Sequence, residues 1–253
     1  MANIIVFDTE TTSLDRPFCY DVGYTIFDTE STEVIKQAHF IIEQNWHNLP
    51  LFESAYYKEK RPLYVQLMRA RKAQLVKWGY ATQAIARDIQ NFEVAAAYAY
   101  NSDFDEKVFN FNCDWFKTIN PFENISIYDI WGYASQFITN TEGYKNFCEE
   151  HERFTDTGNY KGSAEVVYQF ITGDADFEEA HMGLYDSQIE AAILDRCFAL
   201  GAEQEHDYKV IKVLPRPQEK PFTVKINGQI IYQGAYVKKY ARNDMYNFTV
   251  KGE

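Results

Sequence analysis

Four carboxylates and one imidazole are the residues of this chain best suited to chemistry: Asp8 and Glu10 in IIVFDTETT, Asp105 in YNSDFDEKVF, and His181 with Asp186 in AHMGLYDSQIEAAILD. Carboxylate oxygens are the ligands that hard cations such as Mg2+ favour, and Mg2+ keeps several waters, which leaves room for substrate phosphates. Histidine, with an unperturbed pKa of about 6.5, can take a proton from an attacking water near neutral pH. Together these groups suit metal-assisted hydrolysis of a phosphate ester. Each also has an ordinary explanation: Asp-Thr-Glu can close a solvated strand, Asp105 can cap a helix, and Asp186 can complement a helix dipole.

Each of these residues falls where an element begins or ends. Asn3-Ile4-Ile5-Val6-Phe7 reads as a buried strand that Asp8-Thr9-Glu10 continues, and alternation along a strand puts both carboxylates on one face. FEVAAAYAY, residues 92–100, reads as another buried strand. After it, Ser102-Asp103-Phe104-Asp105 fits the S-x-x-D capping box, followed by a helical apolar pattern through Val108, Phe109, Phe111 and Phe116. Asp105 therefore lies in the first turn beyond a strand end, where α/β folds gather ligand-binding groups. His181 falls in a loop or helix start. Asp186 opens a helix with Ile189, Ala192, Ile193 and Cys197 on its inner face and Gly201 as its stop. Residues 21–26 and 34–36 read as a hairpin, and Ser126-Ile127-Tyr128-Asp129 as a further strand.

In chain order the motifs are D-x-E at the end of a first strand, N-x-x-F-D after a later strand, and H-x-x-x-x-D opening a late helix. This set resembles the DEDDh 3'-to-5' exonuclease family (DnaQ-like) over roughly residues 1–200. The resemblance implies an α/β, RNase H-like exonuclease fold with a mixed central sheet flanked by helices. It implies that Asp8, Glu10 and Asp186 hold one ion, that Asp8 bridges to a second ion which Asp105 helps to hold through water, and that His181 is the general base. Two Mg2+ or Mn2+ ions about 3.5–4 Å apart would clamp the attacking and leaving oxygens. Thr11, Leu14 and Asn101 are implied as substrate-binding residues, with Leu14 against the terminal base or, alternatively, in the core. Asp103 is the alternative acid of the middle motif; Asp105 is preferred because it follows Phe104 in the family's F-D pairing.

The 253 residues carry a net charge of -12, unevenly distributed. Residues 208–253 hold nine Lys or Arg against three Asp or Glu, a net +6, which leaves -18 on the rest. Pro215, Pro217 and Pro221 interrupt this region, and Phe222-Thr223-Val224-Lys225-Ile226 and Gln229-Ile230-Ile231-Tyr232 alternate around Asn227-Gly228, a strong hairpin signal. The expected division is an exonuclease domain over 1–205 and a small, basic, β-rich C-terminal appendage over 206–253. Its Tyr232, Tyr236, Lys238, Lys239, Tyr240 and Arg242 either combine stacking with phosphate contacts, as in single-strand binders, or form a solvated edge hairpin. A second basic stretch between Lys58 and Lys77 reads as an amphipathic helix beginning near Pro62. Its charges are either a solvated face or a guide for a phosphate backbone.

No apolar stretch approaches a membrane span. Met-Ala-Asn-Ile-Ile-Val lacks the basic region of a cleaved signal peptide. Cys19, Cys113, Cys148 and Cys197 lack metal-site spacing and read as reduced core residues, so a cytoplasmic protein without membrane contact is expected. The expected activity is a metal-dependent 3'-to-5' exonuclease that releases nucleoside monophosphates from single-stranded DNA or frayed DNA ends. The alternatives are an exoribonuclease of the same family, or an inactive nucleic-acid-binding or polymerase-associated module. Single-stranded DNA is favoured over RNA as partner, and a polymerase or replication protein is a candidate protein partner.

Overall fold

The computed structural model describes residues 2–212 with their side chains and the backbone of 219–226 and 229–237. Strand β1 (Asn3–Thr11) pairs antiparallel with β2 (Cys19–Asp28), and β2 antiparallel with β3 (Val34–Ile42). Strand β4 (Gln74–Val76) runs parallel to β3, while on the other side β5 (Val94–Ala99) is parallel to β1 and β6 (Ile127–Asp129) to β5. The result is a mixed six-stranded sheet in the order β4-β3-β2-β1-β5-β6. The helices are α1 (Glu43–Trp46), α2 (Leu49–Phe52), α3 (Arg61–Arg69), α4 (Trp78–Asn91), α5 (Ser102–Phe116), α6 (Ile130–Ala134), α7 (Glu142–Glu150), α8 (Ala164–Thr172) and α9 (Gly183–Ala199).

Alternation along β1 sorts its side chains between two cores. Ile4 and Val6 join Ala96 and Tyr98 of β5 and Ile189, Ile193, Leu194 and Cys197 of α9. Ile5 and Phe7 join Trp78, Ala81 and Ile85 of α4 and Val108 and Phe109 of α5. Burial on both faces explains the unbroken apolar run before Asp8. Each fully buried side chain of this kind contributes about 1.5–3 kcal/mol, so register is strongly held; a one-residue slip would exchange the two faces. Asp8 and Glu10 keep the parity of Ile4 and Val6 and belong to the α9 face, whereas Thr9 keeps that of Ile5 and Phe7 and faces α5. A third cluster, with Tyr20, Ile41, Trp46, Phe52, Tyr64, Leu67 and Met182, ties the α1–α3 region to the chain just before α9.

Several sequence expectations shift at their edges. The strand expected from Phe92 starts at Val94, because Phe92 closes α4 and Glu93 turns the chain with φ of 48°. The helix near Pro62 is α3, but Arg71 (φ 58°) ends the helical course and Leu75 lies on β4. On α9, Ala192 is only half-buried and Leu194 shares the inner face instead. The C-terminal hairpin is formed by β7 (Glu219–Ile226) and β8 (Gln229–Val237), antiparallel. Asn227, Gly228, Lys238, Lys239, Tyr240, Arg242 and the side chains of Tyr232 and Tyr236 lie outside the described residues. Leaving α9, the chain bonds to the α6 region: the His206 amide donates to the Tyr133 hydroxyl (3.0 Å) and the Ile211 amide to Ser135 Oγ (2.9 Å). All four cysteines are buried and free. No helix among the described residues is long and apolar enough to cross a membrane.

Candidate active site

Two glycines decide where the carboxylates meet. Asp8 lies opposite Gly23 in the β1–β2 register. A Cβ added at Gly23 would sit 1.8 Å from the Leu184 amide nitrogen, and one added at Gly183 would sit 2.5 Å from the Gly23 nitrogen and 3.0 Å from the Asp8 carbonyl oxygen. The first turn of α9 thus rests directly on the strand backbone beside Asp8. Asp186, 3% exposed, belongs to that turn, and its Oδ2 accepts the Met182 amide at 2.5 Å.

Glu10, His181 and Asp186 offer ligand atoms that all lie within 4.8 Å of one another. Asp105 reaches the same strand end from the opposite layer: it is 2% exposed, and Thr9 Oγ1 donates to its Oδ1 at 2.6 Å. The expected capping box does not form, because Ser102 is already helical and the preceding Asn101 takes a left-handed conformation (φ 63°) without capping the helix through its side chain. Freed from that role, Asp105 turns inward, while Asp103 is exposed. The Asn101 amide donates to Asp129 Oδ1 at 2.8 Å, which fixes the β5–α5 turn against β6.

His181 sits in a left-handed backbone conformation (φ 47°), its ring stacked on Tyr57 at 4.2 Å between centroids, and its Nδ1 is 3.7 Å from Glu179 Oε2. Leu14 is 72% exposed, which excludes the core-filling alternative. It lines a cleft of about 490 Å³ together with Glu10, Thr11, Tyr56, Tyr57 and Phe104.

Burial, followed by mutual repulsion, governs the titration of the cluster. Asp8 is held well above the usual carboxylate range by desolvation and then by Glu190, Asp186, Asp105 and Glu10. Glu10 is raised by desolvation and the nearby Asp186 and Asp21, against the opposing charge of Lys60. Asp105 is pushed up to about 7 by burial, opposed by the hydrogen bond from Thr9. Asp186 is pushed up to about 8 by burial and then by Glu179. His181 is lowered by burial and then by Lys60. Asp8 Oδ2 and Asp186 Oδ1 are buried without a hydrogen-bond partner. Unpartnered buried oxygens are costly, and a cation between these carboxylates would relieve both that deficit and the repulsion. An oxygen-rich donor set with one imidazole and no thiolate fits a hard divalent ion.

Solved structures place this arrangement among known folds. The nuclease domain of 3'hExo, a DEDDh family member bound to rAMP, aligns with a TM-score of 0.50 at 13% identity, covering 84% of this chain and 97% of that one. The chain has the DEDDh exonuclease fold. A 3'-exonuclease described in 3'-end-specific recognition of a histone mRNA stem-loop aligns with a TM-score of 0.50 at 11% identity, covering 90% of this chain and 89% of that one. The moderately thermophilic exonuclease I of Methylocaldum szegediense aligns at 0.51 and 16% identity over 77% of this chain and 40% of its own length. This chain therefore spans about two fifths of that exonuclease I. No family model and no curated protein matches the sequence.

Within the DEDDh-type frame the structure adds residues that motif reading passed over. Glu190 lies one helical turn after Asp186, is 3% exposed, and accepts the Tyr100 amide through Oε2 at 3.3 Å. Burial, then Asp105, holds its carboxyl well above the usual range. Its i+4 spacing from Asp186 is the sequence signal that it shares the inward face. Asp21, the register partner of Glu10, is fully buried; its Oδ2 accepts the Tyr64 hydroxyl at 2.7 Å and the Gly183 amide at 3.0 Å. Tyr57 and Lys60 reach the site from the segment before α3; Lys60 belongs to the basic stretch noted in the sequence, whereas no spacing rule announces Tyr57.

Proposed function

We propose that this chain is a metal-dependent 3'-to-5' exonuclease acting on single-stranded DNA or frayed DNA ends and releasing nucleoside monophosphates. The observation that carries the reading is the pair of buried, unpartnered oxygens, Asp8 Oδ2 and Asp186 Oδ1, beside the Glu10–His181–Asp186 group. A pure binding module would have little reason to concentrate carboxylates where a phosphate must sit.

In this reading Asp8, Glu10 and Asp186 hold one Mg2+ or Mn2+, and Asp105, with Asp8, holds a second. When bound, the ions neutralise charge developing at phosphorus and fix the phosphate for in-line displacement. The open cleft beside Glu10 seats the terminal nucleotide, with Leu14 and Phe104 as apolar surfaces and Thr11 as a polar contact. Asn101, exposed at the mouth of the β5–α5 turn, contacts the phosphodiester chain. His181, one third exposed at its side chain, is reached by the attacking water and accepts its proton as the water oxygen bonds to phosphorus and the bond to the preceding nucleotide's 3'-oxygen breaks. Its lowered pKa keeps the imidazole neutral, and so able to act as base, at neutral pH. The basic 206–253 appendage holds the rest of the strand.

An RNA substrate is the second reading, because two of the neighbours aligned over most of their own length are described with rAMP and with a histone mRNA stem-loop. The sugar is read by contacts to the 2'-hydroxyl rather than by the carboxylates. The test uses 5'-labelled single-stranded DNA and RNA of matched sequence, with Mg2+, Mn2+ or chelator, on wild type and Asp8→Ala. A metal-dependent ladder that shortens from the 3' end in wild type alone supports the exonuclease, and the faster substrate identifies the sugar. Binding without cleavage, unchanged in chelator, would replace it with a binding module.

A further inference from the structure

We infer that residues 57–64 form a positioning clamp for the loop carrying His181, a role that rests on the exonuclease reading above. Lys60 Nζ donates to the Ala180 carbonyl at 2.6 Å, and the same ammonium lies 4.5 Å from the Tyr57 ring centroid. The Tyr57 ring stacks on His181 at 4.2 Å with an interplanar angle of 11°. At the far end of the segment, the Tyr64 hydroxyl and the Gly183 amide donate to one oxygen, Asp21 Oδ2, while Asp21 Oδ1 lies 2.8 Å from His39 Nε2. Three of the four loop positions from Ala180 to Gly183 are therefore held, through a carbonyl, a ring and an amide, by one short segment and the acid it anchors.

The loop needs such support. His181 lies in the left-handed region, which is sparsely populated by residues other than glycine and persists when surrounding structure over-determines it. A general base acts only when its nitrogen is within hydrogen-bond reach of the proton it takes. Two of the segment's charges turn inward: beside the half-buried Lys60, the Arg61 guanidinium lies 4.2 Å from the Trp46 ring and 4.7 Å from Phe52. These two cations of the basic stretch thus serve the loop and the core, rather than a solvated face or a track for a nucleic-acid backbone. Tyr57 and Lys60 are positioning residues acting through His181.

The test compares Lys60→Met, Tyr57→Leu and Lys60→Arg with wild type by steady-state kinetics, Mn2+ titration and amide hydrogen exchange of residues 180–183. Lys60→Met and Tyr57→Leu should lower kcat about 10- to 100-fold, because a misplacement of about 1 Å at a reacting group can cost about 10²-fold. KM should hold in Lys60→Met and Mn2+ affinity in Tyr57→Leu, exchange of the loop amides should accelerate in both variants, and Lys60→Arg, which keeps a donor for Ala180, should recover kcat. Unchanged kcat and exchange in both variants would overturn the clamp. So would a loss confined to KM, which would make Lys60 a phosphate contact. If wild type cleaves neither DNA nor RNA with either metal, the exonuclease reading fails instead, and loop exchange in the free protein still decides the clamp.

Discussion

Thr9 Oγ1 donates to Asp105 Oδ1 at 2.6 Å, so the residue between the two carboxylates of D-x-E supports the acid of the next motif. The bond counters the burial that pushes Asp105 up to about 7. Thr9→Val keeps the shape and removes the donor. A buried acceptor left without its partner costs about 1–3 kcal/mol, more when charged. We expect Thr9→Val to weaken metal binding and kcat at pH 7, with recovery as pH rises. A metal titration at pH 7 and pH 9 checks this; equal affinities for the two proteins at pH 7 would show that Asp105 does not depend on Thr9.

Gly23→Ala should be far more damaging than its size suggests. The added methyl would meet the Leu184 nitrogen at 1.8 Å and the Gly183 carbonyl carbon at 2.0 Å, both backbone atoms that no rotamer change can move. Overpacking typically costs about 1–3 kcal/mol, and lifting α9 off β2 would also carry Asp186 away from Asp8. Urea denaturation should show the loss of stability, and metal affinity should fall further than stability alone explains. A variant with wild-type midpoint and affinity would disprove the close approach.

Metal-free stability should fall as pH rises from 5 to 8. Asp186 is held at about 8 in the fold against about 3.9 when unfolded, so between those values the native state binds more protons than the unfolded one and unfolding free energy declines with pH. Asp105, at about 7, contributes in the same direction. Melting temperatures in chelator at pH 5 and pH 8 test the sign. Asp186→Asn should flatten the profile and raise the pH 8 melting temperature while abolishing cleavage, and Mn2+ should stabilise wild type more at pH 8, where fewer protons compete with it.

His181→Ala should lower kcat by about 10²- to 10⁴-fold, the usual reach of a general base, and leave metal binding in place. Because burial and Lys60 lower the His181 pKa, the acid limb of the wild-type kcat profile should fall below pH 6.5. The variant should lose that limb. A pH profile identical to wild type would remove His181 from the proton transfer.

The strand-end positions of Asp8 and Glu10, the helix-start position of Asp186, and the parity that puts Asp8 and Glu10 on one face were legible because they follow from local periodicity. So were strands β1 and β5, through their apolar runs, while their union in a mixed sheet came from the family resemblance and β4 falls in a stretch that reads as helix. The glycine contact was not, since it depends on the β1–β2 register bringing Gly23 opposite Asp8 and under α9. Ser102-x-x-Asp105 misled for a local reason: a left-handed Asn101 starts the helix one residue early, so the serine cannot cap and Asp105 points inward. Glu190 was readable from its i+4 spacing to Asp186, whereas Tyr57, Lys60 and Asp21 gain their roles only through tertiary contact.

Removal of residues 213–253 tests the basic appendage and keeps the 206–211 segment that bonds to the α6 region. The cut falls beyond Ile211 because Tyr208 packs edge-on against Tyr133 at 4.7 Å and a side chain at Gly132 would meet the Tyr208 carbonyl at 1.9 Å, so an earlier cut would strip the α6 surface. Phosphate contacts made by Lys and Arg appear as counterion release, with log K falling linearly against log salt. If the appendage grips the strand, truncation should weaken binding of long single strands, flatten that slope and raise KM, while short substrates confined to the cleft keep their kcat. Equal slopes for the two proteins would mean that its charges never reach the nucleic acid.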